Sequence, residues 1–242
     1  MKNSIYLAIF ALCFPFLAAN AIGESKSLKM TTELSTYSYL KSHNQILVNN
    51  EGISLFKAGN KYGFKNKKGK IIIAAKYDFA NDFSEGNAIV GLNGKYGVVN
   101  TNGNEIIPLI YDRVSEFNEG ASLVTTNGKS GFIDNKGNII VPFIYNDAMQ
   151  FSEGMASVKL DGKWGFINKS DKVIIPFLYE WPSVFKNGFT RVKLNEKWGL
   201  IDRNGKIIAP IIYDWVNDFN NKKSQVSLNG RIFSINENGE VY

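Results

Sequence analysis

Trp181 and Trp215 carry the recognition chemistry that stands out in this chain. Each follows a recurring tyrosine by two places, where other copies of the same pattern read Phe79, Arg113 and Asp147. The adjoining slot holds Ala80, Val114, Ala148, Pro182 and Val216, and it already supplies the apolar residue that a core needs. Both indoles are therefore surplus to packing, and exposed aromatics of this kind stack on sugar faces or anchor protein interfaces. The competing use is to cover a gap between the last units. Lys159, Arg191 and Lys193 fall at variable, outward strand positions and form a mildly basic stripe, either a contact surface or a solvated face.

Catalytic chemistry is poorly supplied. The single histidine, His43, precedes the recurring pattern, and the single cysteine, Cys13, lies in an apolar leader. A His/Cys metal set is excluded by count. Carboxylates are the remaining acid–base option, and Asp78, Asp112, Glu180 and Asp214 recur beside the repeated tyrosine. Recurrence favours a structural role, in which each carboxylate accepts hydrogen bonds from turn amides. The Glu-Gly steps at Glu85, Glu119 and Glu153 read as solvated turns. We assign no catalytic residue, cofactor site or metal site.

The elements that position these residues repeat. An aromatic slot falls at Tyr62, Tyr96, Ser130, Trp164, Trp198 and Ile232, a constant step of 34 residues, with Ser130 and Ile232 as degenerate copies. A step of this size signals a tandem array of one small supersecondary unit. In the copy beginning at Met155, apolar and polar residues alternate through Leu160, the signature of a half-buried strand. Asp161-Gly162 then suits a type I′ hairpin turn, as do Asn93-Gly94, Asn127-Gly128 and Asn229-Gly230.

The second strand carries the aromatic slot followed by glycine, at Gly63, Gly97, Gly131, Gly165 and Gly199. Strand glycines mark close approach, which predicts a neighbouring repeat lying against that face. The third strand is a short apolar run such as Val173-Ile174-Ile175, expected to be buried on both faces and stopped by Pro108, Pro142, Pro176 or Pro210. The connector, with apolar residues three apart at Tyr111, Val114 and Phe117, fits either a 3₁₀-like turn or a fourth strand.

No such unit buries enough surface alone, so each needs neighbours. The chain is expected to be all-β: six tandem 34-residue β-meander repeats over residues 43–242, with a propeller-like ring favoured and an open, solenoid-like array as the alternative. Gln45-Ile46-Leu47-Val48 sits where an amino-terminal strand would close the ring on the last unit.

Lys2, the uncharged run from Ile5 to Ala18 and Ala19-Asn20-Ala21 read as an export signal cut after Ala21. Residues 1–21 are thus expected to be a signal peptide and 22–42 a linker. The run is shorter than the roughly 20 apolar residues of a membrane span, so no span is expected in the mature chain. Without Cys13 that chain forms no internal disulfide. Its net charge of +6 before cleavage is modest and dispersed, without the clustered basic footprint of a nucleic-acid binder.

Asp161-Gly162-Lys163-Trp164-Gly165-Phe166-Ile167 and Glu196-Lys197-Trp198-Gly199-Leu200-Ile201-Asp202 resemble the WG-repeat, or KWG-repeat, family of bacterial proteins. Tyr179-Glu180, Tyr213-Asp214 and Phe151-Ser152-Glu153-Gly154 fall in phase with that signature, and the resemblance runs from about Glu51 to Tyr242. The last unit departs from it, with Phe233 in the glycine slot. The resemblance implies repeat architecture and a surface or envelope location, and it brings no catalytic residues. The function expected is non-enzymatic binding of protein or glycan partners in the cell envelope by an exported scaffold. The alternatives are an envelope hydrolase using carboxylates on a β-repeat ring and a purely structural envelope protein.

Overall fold

The computed structural model describes residues 52–220 and 222–242, and every regular element among them is a β-strand. The first sheet holds β1 (Ile53–Ala58), β2 (Lys61–Asn66) and β3 (Ile71–Tyr77). The second holds β4 (Phe79–Ala80), β5 (Asn87–Leu92), β6 (Lys95–Asn100) and β7 (Glu105–Tyr111). The third holds β8 (Arg113–Val114), β9 (Ala121–Thr126), β10 (Lys129–Asp134) and β11 (Ile139–Tyr145). The fourth holds β12 (Asp147–Ala148), β13 (Met155–Leu160), β14 (Lys163–Asn168) and β15 (Val173–Tyr179). The fifth holds β16 (Trp181–Pro182), β17 (Phe189–Leu194), β18 (Lys197–Asp202) and β19 (Ile207–Tyr213). The sixth holds β20 (Trp215–Val216), β21 (Lys223–Leu228) and β22 (Arg231–Asn236).

Strand order within each sheet follows the sequence, and all pairings are antiparallel. From the second sheet onward both central residues of the first hairpin take positive φ, as in Asp161 (48°) and Gly162 (82°), so the type I′ reading holds for the turns named above. The connector resolves into a fourth strand. Its two residues pair with the following meander, as Trp181 does with Lys193 and Pro182 with Val192.

Close approach to the strand glycine comes from a different direction than the spacing predicts. In the fourth sheet Trp164 pairs with Tyr179 and Phe166 with Ile175, so Pro176, Phe177 and Leu178 stand opposite Gly165 alone. This bulge brings the third strand of the same sheet over the glycine. A Cβ on Gly165 would lie 2.7 Å from the Ile175 carbonyl oxygen. The proline does not end the strand; β15 runs through it to Tyr179. A bulge tolerates proline because it has no ladder bond to lose there. The third strand is also an edge, and Ile110, Ile144, Leu178 and Ile212 are exposed rather than buried on both faces.

Apolar cores lie between successive sheets. Phe64, Tyr77, Phe83 and Val90 join the first and second. Val98, Tyr111, Val124 and Ile133 join the second and third. Phe132, Phe151 and Val158 join the third and fourth. Trp164, Phe166, Phe185 and Val192 join the fourth and fifth, and Leu200, Tyr213, Phe219 and Val226 the fifth and sixth. Gln45–Val48, the expected closing strand, falls outside the described residues, as do the expected signal peptide and linker.

Polar ties reinforce each junction. Glu119 Oε2 accepts from the Gly154 amide at 3.0 Å, and Glu153 Oε2 accepts from the Gly188 amide at 2.8 Å. The Glu-Gly turns at these two places are thus bonded to the equivalent turn of the next repeat, beyond the solvated role expected of them.

Candidate aromatic cleft

The recurring carboxylates do what their spacing predicts, and something more. Asp78, Asp112 and Asp214 each accept from the amide of Asn93, Asn127 or Asn229 at the tip of the next hairpin, at 2.8–2.9 Å. Glu180 accepts from Asn195 N at 3.1 Å and Glu196 N at 3.3 Å. The other oxygen of each aspartate accepts from a lysine of the preceding sheet: Lys61 to Asp78 at 2.5 Å, Lys95 to Asp112 and Lys197 to Asp214 at 2.6 Å. One carboxylate therefore ties two sheets together. The lysine hydrogen bond first, and then the turn amide, hold these aspartates below the usual carboxylate range.

A depressed folded-state pKa means that the stabilisation is complete above the unfolded value, about 3.9 for aspartate, and is lost as pH falls through the folded value. We expect melting temperature to be level above about pH 5 and to fall below about pH 4. Asp112→Ala should lower melting temperature at pH 7 and flatten that acid slope. An unchanged melting curve in this variant, followed by circular dichroism, would remove the tie from the account.

The same register lines up the variable residues. In the fifth sheet Trp181 pairs with Lys193, Lys193 with Trp198, and Trp198 with Tyr213, so one row crosses all four strands beside the hairpin tip. Trp181 is 50% exposed and packs one side against the buried Trp164 of the fourth sheet, ring centroids 6.0 Å apart at 60°. An open cavity of about 370 Å³ is lined by Glu180, Trp181, Lys193, Glu196 and Trp198. Lys193 Nζ reaches Glu196 Oε2 at 2.6 Å. The cavity thus combines two indoles with a carboxylate fixed by amides and an ammonium–carboxylate pair.

The sequence signals are separated by this geometry. Trp181 and Lys193 meet in the cleft, whereas Trp215, 37% exposed, begins the sixth sheet and does not line it. The basic stripe is not a free surface. Lys159 Nζ lies 5.9 Å over the Trp164 ring. Arg191 does not serve the cleft, because its Nε pairs with Asp218 Oδ1 at 2.9 Å and its guanidinium also donates to the Val216 carbonyl. Trp198 and Glu196 are not among the residues the sequence singles out, and Glu180 is read there as a structural carboxylate rather than a binding one. Trp198 reads as scaffold signature, and only the row across the sheet shows that it shares a cavity with Trp181.

Glu196 carries a further signal. It occupies the second hairpin-tip position, filled elsewhere by Gly94, Gly128, Gly162 and Gly230, and it adopts φ 61°. A left-handed non-glycine residue costs about 1 kcal/mol or more, and such strain gathers at functional sites. We expect Glu196→Gly to raise melting temperature by about 2–4 °C, the shift per kcal/mol for a domain of this size, while weakening binding in the cleft. A variant that loses stability and keeps binding would contradict both halves.

The family described as WG containing repeat matches at residues 62–96, 96–129, 131–164, 164–198 and 198–231. No curated protein matches the chain in sequence. Among solved structures it is similar to a eukaryotic initiation factor, with a TM-score of 0.50 and 11% identity over 80% of this chain. It spans 62% of that protein's length. It also matches Hsv2p of Kluyveromyces lactis, with a TM-score of 0.43 and 7% identity over 77% of this chain and 71% of the other. These neighbours are propeller-type proteins, and at such identities the likeness concerns the fold alone. Five tandem matches across the repeats show that the chain belongs to the WG-repeat family.

Proposed function

We propose that this protein is a non-enzymatic binding scaffold of the cell envelope that takes a glycan ring into the cleft between Trp181 and Trp198. The observation carrying this reading is the half-exposed Trp181 beside an open cavity whose rim holds fixed hydrogen-bonding groups. Aromatic faces suit the C–H face of a pyranose, and the rim groups suit its hydroxyls. Glu180 and Glu196 accept, and Lys193 donates. Protein partners, the other expected class, would use the same aromatic anchor.

Two carboxylates beside a sugar site also describe a glycosidase, the alternative in another class. Such an enzyme needs one carboxyl group that keeps its proton near neutral pH. Glu180 is held below its ordinary value, first by the Glu196 amide, so it is ionised and cannot donate. Of the two roles in such a pair, Glu180 therefore fits only the base or nucleophile. The expected export signal supports the envelope assignment, and cell fractionation tests it.

Retention of the mature protein on insoluble chitin, cellulose and peptidoglycan sacculi tests the cleft. We expect saturable binding to at least one, weakened about 30-fold in Trp181→Ala, corresponding to the 2 kcal/mol of a hot-spot aromatic. Equal retention of wild type and variant overturns the cleft. Release of reducing sugar would favour the hydrolase.

A further inference from the structure

The Trp181–Trp198 pair has a counterpart three periods earlier, although the cavity beside it opens toward the following sheet rather than at the hairpin tip. Phe79 and Tyr96 occupy the same repeat positions and the same row of the second sheet, where Phe79 pairs with Gly91 and Gly91 with Tyr96. Their rings lie 5.7 Å apart at 70°, and Phe79 is exposed. A cavity of about 270 Å³ opens between them and the start of the third sheet, with Asn81, Asp112 and Arg113 on its lining. The two volumes, about 370 and 270 Å³, lie on either side of the roughly 300 Å³ at which small-molecule pockets begin.

The pair of aromatics is not a by-product of the repeat. The third sheet carries Arg113 and Ser130 at these positions, the fourth Asp147 and the buried Trp164, and the sixth Trp215 and Ile232. Among the described sheets, the second and fifth alone carry an aromatic at both the connector-strand and the second-strand position of the row, and each of those rows borders an open cavity. Gly91 replaces Lys193 between the rings. A Cβ there would lie 3.0 Å from the Tyr96 ring, so glycine lets Phe79 and Tyr96 meet as one wall. Asp112 is neutralised by Lys95 and the Asn127 amide, leaving the exposed Arg113 guanidinium to donate at the rim.

We infer that the chain is bivalent: the Phe79–Tyr96 cleft is a second glycan subsite, and the two clefts engage units of one β-linked pyranose polymer. Such a polymer offers the same flat C–H face at each equatorially substituted ring, which suits two similar aromatic sites. This inference rests on the proposed function of the Trp181 cleft. Its energetic consequence is avidity, since a second site on the same scaffold strengthens retention by about 10²-fold or more without a tighter individual contact.

The test compares insoluble chitin and cellulose with their soluble one- to six-unit oligosaccharides, using the mature protein. Phe79→Ala should lower retention on the polymer about 100-fold, while the Trp181 cleft still takes up the soluble single unit with wild-type affinity. Phe79→Leu keeps Gly91 covered without an aromatic face and guards against a folding defect; it should behave like Phe79→Ala at an unchanged melting temperature. If both Phe79 variants retain full polymer binding while Trp181→Ala loses it, the second subsite is refuted and the first stands. If none of the three changes retention, both are refuted.

Discussion

Phe166→Ala is expected to lower the unfolding free energy by about 3–5 kcal/mol, the range for truncating a buried phenylalanine. Phe166 is fully buried between the fourth and fifth sheets, edge-on to Phe185 with centroids 5.1 Å apart. Phe64 with Phe83 and Phe132 with Phe151 repeat the contact at 4.7 and 4.6 Å. In each case the second strand of one repeat is plugged by the phenylalanine at the end of its connector. Truncation leaves a cavity at a junction, and a repeat array has stability only through its junctions. Urea unfolding of the full chain should therefore show a lower midpoint and a transition split around the fourth and fifth sheets. A loss under about 1 kcal/mol would mean that this junction is not where stability resides.

Gly97→Ala is the second large effect, and it acts through the backbone. The added Cβ would lie 2.5 Å from the Ile107 carbonyl oxygen and 2.9 Å from both Leu109 N and Pro108 C. All three are main-chain atoms of β7, so relief requires the bulge itself to move. Overpacking of this kind costs about 1–3 kcal/mol. The loss should appear with intact far-UV spectra at low temperature and a lower melting point. Wild-type stability in this variant would show that the bulge is loose, and with it the reason for glycine in the family signature.

Much of this architecture is legible in the residues. Asn93-Gly94 and its equivalents announce their own turns through the positive φ they require. The constant step puts Asp112 beside a turn in every register, which is enough to anticipate its bond to the Asn127 amide. Lys95 as its second partner is less visible, because donor and acceptor lie in different sheets. The third strand misleads for a related reason. Val173-Ile174-Ile175-Pro176 reads as a doubly buried run that ends, yet the bulge opposite Gly165 carries it onward as an exposed edge. Alternation cannot be followed through residues whose register slips.

The cleft is half legible. Trp181 stands out because the scaffold does not need it, but Trp198 is hidden by belonging to the signature. Arg191 looks free in sequence and is not, since its partner Asp218 lies in the next sheet's connector. Side chains that vary at a fixed position are easily found. Which of them share a cavity depends on a row running across strands far apart in the chain.

Indole and backbone amide shifts of the isotope-labelled protein, titrated with soluble cello- and chito-oligosaccharides, test the central claim most directly. Sugar bound in the cleft should move the indole N–H signals of Trp181 and Trp198 in a saturable way, together with the amides of Asn195 and Glu196, while the buried Trp164 ring responds only weakly. Shifts confined to the exposed third-strand edge at Ile110, Ile144, Leu178 and Ile212, or no shift at saturating sugar, would contradict it.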